Sequence, residues 1–182
     1  MIVWILSAVV AVIVITFIYY FNRLVTLSNR IDNSLSQIDV QLKRRADLVP
    51  NLLETVKGYA KHEKSIIAEV TNARKALLSA TTIESKVKAG TELGNALKSV
   101  FAIAENYPQL KANENFLQLQ TELAAIEDKV AYSRQFYNDS ILSYNNTTTT
   151  FPGALFAKIY GKQQKEFLKI APVERAVPTV KF

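Results

Sequence analysis

The residues best equipped for chemistry fall in one run, Gln37 to Glu63, "QIDVQLKRRADLVPNLLETVKGYAKHE". It holds Arg45, Glu54 and the chain's single histidine, His62. Together with acids from a later helix, these could serve a hydrolase or a lipid-modifying enzyme as charge stabiliser, base and proton carrier. The spacing argues against it. His62-Glu63 lacks a second histidine four residues on, so the zinc-protease pattern is not met. One histidine cannot supply the two Glu-x-x-His elements of a di-iron bundle, and zero cysteines exclude a thiolate metal site or a nucleophilic thiol. There is no Gly-rich phosphate loop and no Gly-x-Ser-x-Gly elbow. The expectation is therefore no enzyme, no catalytic set, no cofactor and no metal.

What remains in the run is charge. Lys43-Arg44-Arg45 is flanked by Asp39 and Asp47, and the formal net charge of +6 is spread along the 182 residues rather than massed. That is general attraction to anionic surfaces, and no nucleic-acid partner is expected.

The elements that must position these residues are helices. Nearly half the residues are apolar, with only 5 Gly and 5 Pro, and no alternating strand pattern competes. The first stretch, residues 1–21, "MIVWILSAVVAVIVITFIYYF", carries no charge and is about 30 Å long as a helix, the thickness of a bilayer's hydrocarbon core. Trp4 at one end, with Tyr19, Tyr20 and Phe21 at the other, suits the two headgroup levels. No basic leader or small-residue cleavage site accompanies it, so an uncleaved anchor in membrane lipid is expected. Arg23, Arg30 and Lys43 to Arg45 follow the span, which predicts a single-pass protein of the cell membrane with its amino terminus outside and a cytoplasmic helical domain.

Beyond the anchor, residues 22–170 read as a helical bundle. Apolar residues at Leu24, Ile31, Leu35, Ile38, Leu42, Val49, Leu52, Val56 and Tyr59 keep one seven-residue phase. The phase continues through Ile66, Val70, Ala73 and Leu77, predicting a helix over 22–80, kinked near Pro50, with a break near Gly58 to Lys61 as the alternative. A second helix is expected over 83–106. After a turn at "ENYPQLKAN", which Asn113 can cap, a third follows over 113–145 with Phe116, Leu123, Val130, Tyr137 and Tyr144 at strict sevens. The "YN" pairs at 137–138 and 144–145 put both tyrosines on one face as packed rings. "NNTTTTFPG" reads as a loop, 154–170 as a shorter helix using Leu155, Phe156, Ile159 and Phe167, and 171–182 as an extended or mobile tail. The fold class is all-α, an amino-terminal membrane helix continuing into a long antiparallel bundle of four segments.

Arg45 is the anomaly in this pattern, occupying a slot between Ile38 and Leu52 where the stripe calls for an apolar side chain. Either its stem packs and its head reaches the edge of the helices, or it is a buried ion pair that sets helix register, with Glu127 as partner. Arg44 and Asp47 fall on the outer face as candidate interaction residues.

With these features together, the sequence resembles the LemA family of bacterial membrane proteins. The resemblance rests on Gln37 to Glu63 almost residue for residue, on "YPQLKANENFLQLQTEL" at Tyr107 to Leu123, on "EDKVAYSRQFYN" at Glu127 to Asn138, and on "SYN" and "FPGALFAKIYG". It implies an amino-terminal membrane helix and a helical bundle, and it implies no established catalytic set. Relatives in magnetic bacteria are associated with building magnetosome membranes, which turns the expectation toward membrane organisation. The expected role is a non-enzymatic adaptor or envelope scaffold that meets a protein partner or associates with itself. The alternatives are the membrane-anchored enzyme above and a protein that remodels the membrane surface.

Overall fold

The computed structural model describes residues 1–60 and 62–168. Within them the chain is all-α with no strand: α1 (Ile2–Tyr59), α2 (Lys64–Ser79), α3 (Ile83–Ala104), α4 (Pro108–Lys111), α5 (Glu114–Thr149) and α6 (Gly153–Ile159). The expected tail, 171–182, lies outside the described residues.

The chain divides into two compact units. One comprises Met1–Leu35 and Arg134–Leu168; of the described residues, Ser36–Ser133 make up the other.

In the first unit, the middle of α1 packs on the carboxyl half of α5. Leu24, Leu27 and Ile31 meet Ile141 and Tyr144, with Ala157 of α6 closing the cluster. The two helices run antiparallel, since Arg23 donates to Thr147 at 3.5 Å while Ser34 meets Ser140 at 3.4 Å, eleven residues along one and seven back along the other. Residues 2–15 of α1 are exposed throughout. An 18-residue window of α1 has a mean hydropathy of 2.8, which makes the helix long and apolar enough to cross a membrane.

Three differences from the sequence reading belong to this unit. The threonine run is helical to Thr149, because Thr147, Thr148 and Thr149 each donate a hydroxyl to a carbonyl three or four residues back and so satisfy themselves within the helix. α6 stops at Ile159 instead of continuing toward 170. Gly161 takes φ +63°, its N–H donates to Lys158 and that of Lys162 to Ala157 at 2.9 Å, a Schellman stop that a glycine makes at little cost. Of the four residues expected on the inner face of that helix, Leu155, Ile159 and Phe167 are exposed; Gly153, Ala157 and part of Phe156 face inward.

The second unit carries the core expected from the sevenfold phase in Ile38, Leu42, Val49, Leu52 and Val56 of α1 and Phe116, Leu123 and Val130 of α5, joined by Leu93, Leu97 and Val100 of α3. α1 continues through Pro50 and ends at Tyr59, at the break given as the alternative, and the stretch up to Ser79 is a separate helix that turns back. Arg74 of α2 reaches Ala46 of α1, so the two helices lie side by side after the turn. Val70 and Leu77 still face inward, since the apolar phase is the same for a helix that continues and one that folds back. Gly58, a poor helix former beside the break, has open space where a Cβ would be. Thr82 and Ser85 form a reciprocal capping box at the start of α3. α3 ends at Ala104, two residues before the expected end, and α4 supplies one helical turn within the predicted reversal, with Pro108 at its first position. Asn113 caps α5, its Oδ1 accepting from the Phe116 amide at 3.0 Å.

Candidate functional site

Two polar arrangements stand out from the helix packing, one in each unit. The first centres on Arg45. The side chain is 4% exposed, and its Nη2 forms an ion pair with Glu127 Oε2 on α5. Its Nη1 donates to the Gly90 carbonyl of α3 at 3.1 Å, and its Nε has no hydrogen-bond partner. The Glu127 side chain is 49% exposed, so only one of the two charges is taken out of water. Glycine permits the approach of α3: a Cβ on Gly94 would lie 3.2 Å from Arg45 Nη1, and one on Gly90 would lie 2.6 Å from Leu42 Cδ2.

The next residue of α1 carries a second link. Proline has no N–H, so the carbonyl of Ala46, four residues before Pro50, loses its intrahelical donor. Ala46 is fully buried, where a bare carbonyl is costly. Arg74 of α2 replaces the missing donor, its Nε reaching the Ala46 oxygen at 2.7 Å. Lys86 of α3 adds an ion pair to Asp39 at 2.7 Å. Between Asp39 and Pro50, α1 is therefore tied by polar contacts to α2, α3 and α5.

The other residues singled out from the sequence do not join this centre. Arg44 is exposed, and Asp47 is exposed and paired with Lys43 at 2.9 Å one turn away. Glu54 pairs with Lys57, while His62 is exposed in the turn between α1 and α2. Arg45, Glu54 and His62 thus do not converge. Glu63 accepts from the Tyr107 hydroxyl at 3.0 Å, a contact that holds the tyrosine proton and raises its pKa above the usual 10.0, with burial adding to the effect. Among the described residues no group of three or more His, Cys, Asp or Glu side chains gathers as metal ligands would.

The second arrangement was missed in the sequence. Asn138 and Asn145, the partners of the two tyrosines in the "YN" pairs, each clasp both backbone groups of one residue. Asn145 Oδ1 accepts from the Lys165 N–H at 2.8 Å, and its Nδ2 donates to the Lys165 carbonyl at 2.8 Å. Asn138 does the same for Leu168, at 2.9 Å and 3.2 Å. Seven residues of helix rise about 10.5 Å, close to the reach of three residues of extended chain, so a heptad pair of asparagines matches every third residue of a non-helical segment. Lys165 also reaches Ser28 of α1 at 3.3 Å and lies 5.4 Å over the ring of Tyr144. The tyrosine itself is a packed ring, 3% exposed, and burial raises its pKa. The available signal was the asparagines' placement, since Asn is a poor helix former and two of them recur at the period of the seam.

One arrangement fastens helices, and the other fastens a segment of non-helical chain. Related sequences go under several names. The chain is 27% identical to the magnetosome protein MamQ of Magnetospirillum gryphiswaldense over 183 residues, covering 86% of this chain and 67% of that one. It is 25% identical over 189 residues to magnetosome protein MamQ 2 of Paramagnetospirillum magneticum, with 90% and 70% covered. It is 28% identical over 144 residues to protein LemA of Metamycoplasma hominis, with 74% and 64% covered. The LemA family matches residues 34–182, a range that takes in the Arg45 centre, the Ala46 carbonyl opposite Pro50 and both asparagine clasps, and the chain belongs to that family.

Proposed function

We propose that this membrane-associated protein is a non-enzymatic, single-span adaptor or envelope scaffold, which offers the outward faces of its long helices to a protein partner or to a second copy. The observation that carries this reading is the use made of the ionic groups: Arg45, Arg74 and Asp39 are engaged in tying helices together, while Arg44, Asp47 and Val40 remain on the exposed side of the same stretch of α1. In this reading Arg45 and Glu127 set helix register, and Arg44 and Asp47 belong to the docking face. The kinship with two proteins named for the magnetosome fits a structural role.

Residues 1–21 hold the protein in lipid, with the amino terminus outside and the helical domain cytoplasmic, as the basic residues after the span favour. Because the chain has no cysteine, a single Ser99→Cys variant in intact cells tests that orientation with a membrane-impermeant maleimide. Labelling only after lysis supports it, and labelling of intact cells refutes it.

The adaptor role is tested with a photo-crosslinking amino acid at Val40 in native membranes. A reproducible adduct lost in Arg44→Glu/Asp47→Lys is the expected result. Adducts with the protein itself alone point to self-assembly, and an adduct indifferent to both reversals removes these residues from the interface.

A further inference from the structure

We infer that α6 and the residue pair leading into it form a second membrane contact, lying in the headgroup region of the bilayer that α1 crosses. The inference rests on the reading of residues 1–21 as a span, and extends it to a part of the chain more than a hundred residues away.

Three observations place it there. First, the aromatic side chains of α6 and its end dock on the end of the apolar stretch, while Ala157 joins the cluster just beyond it. Phe156 stacks on Tyr20 at 5.0 Å and 9°, and meets Phe17 edge-on at 6.1 Å. Tyr160 meets Phe17 and Phe21 at 5.0 Å and 5.4 Å, and its hydroxyl donates to the Phe17 carbonyl at 2.7 Å. Phe17 to Phe21 is the last ~6 Å of a ~30 Å span, the depth at which interfacial helices bury their apolar faces.

Second, the side of the segment turned away from α1 is apolar. Phe151, Leu155 and Ile159, at successive intervals of four, are 84%, 57% and 65% exposed. Nothing within the first unit covers them, and at that depth acyl chains do.

Third, the approach is built in. A Cβ on Gly153 would lie 2.2 Å from the Thr147 carbonyl and 3.0 Å from Tyr20 Cε1, so glycine lets the segment sit against both α5 and the end of the span. Lys158 and Lys162 are exposed beside the apolar stripe and can extend their amines to lipid phosphates while their stems stay with it.

The occupant of this face is thus the same bilayer, with aromatic rings and lysines at its boundary. Depth-dependent quenching tests it on the full chain in phosphatidylcholine–phosphatidylglycerol vesicles, with some lipids brominated in the upper acyl chain. Trp4 is the only tryptophan and reports the span. In a Trp4→Phe background, Leu155→Trp and Ile159→Trp report α6, and Leu117→Trp supplies a reference in the other unit. The expected result is quenching of the residues at 155 and 159 at least about twofold stronger than at 117, with blue-shifted emission. Quenching at 155 and 159 equal to that at 117, while Trp4 is quenched, overturns the α6 contact and leaves the span standing. Absence of quenching at Trp4 overturns the span and the α6 contact with it.

Discussion

Arg74 Nε donates to the carbonyl of Ala46 at 2.7 Å, the oxygen that Pro50 deprives of its helical partner. A proline inside a helix thereby becomes a docking point for the helix that folds back on it. The pairing predicts non-additivity. Arg74→Met leaves a buried carbonyl bare and costs about 1–3 kcal/mol. In a Pro50→Ala background the restored N–H fills the carbonyl, and Arg74→Met costs less than about 0.5 kcal/mol. Denaturant melts of the four proteins in detergent, followed by circular dichroism, measure the cycle. Equal costs in the two backgrounds refute it.

The Arg45–Glu127 pair predicts an asymmetry of the opposite kind to size. Removing the acid with Glu127→Ala strands a buried guanidinium and costs about 3 kcal/mol. Removing the base with Arg45→Met leaves a carboxylate that water already reaches, 49% exposed, and costs about 1 kcal/mol. The same melts decide it; a larger loss for Arg45→Met contradicts the assignment of burial.

For the asparagine clasps the effect is local. Asn145→Ala or Asn138→Ala removes two hydrogen bonds to one backbone residue, about 1–2 kcal/mol of attachment for each. Hydrogen exchange at the Lys165 and Leu168 amides accelerates by roughly tenfold, while the midpoint of unfolding moves little.

Gly153→Ala drives a methyl against the Thr147 backbone carbonyl, which cannot step aside as a flexible side chain would. A cost on the order of 3 kcal/mol is expected, confined to α6. Loss of the Tyr160–Phe17 contact is read from the near-ultraviolet circular dichroism of the aromatic cluster. An unchanged spectrum argues against the close approach.

Tyr107 makes a prediction for high pH. Its folded pKa stands above 10.0, chiefly through the bond to Glu63, so the folded state favours the protonated phenol. That contribution is fully present below pH 10 and is lost as pH rises through the folded value. Absorbance titration at 295 nm on the full chain and on Tyr107→Phe isolates the group. The difference curve has its midpoint above 10, and a midpoint below 10 refutes it.

The helices themselves were legible because a sevenfold apolar phase has one local meaning. Arg45 was legible as an exception to that phase, and Glu127, one of several acids on the other long helix, could be named as a candidate partner. The reversal after Tyr59 was not, for the phase of Val70 and Leu77 is blind to direction. Pro50 could be weighed only as a local cost, because its compensation comes from Arg74, 24 positions later and adjacent only after the turn. The "YN" repeats drew attention to the larger ring, while the hydrogen-bonding work fell to the amide beside it. Phe167 suggested that the last helix ran on, whereas Gly161, a recognised stop signal, was the better guide.

The two clasps also set how the chain after α6 bears load. Lys165 is fastened nearer the apolar end of α1 than Leu168, so the segment is laid lengthwise against α5. A tug along that axis strains both asparagines in shear, at the same moment. A tug outward peels Leu168 away first and Lys165 only afterwards, so the direction of pull, more than its strength, decides whether the fastening holds.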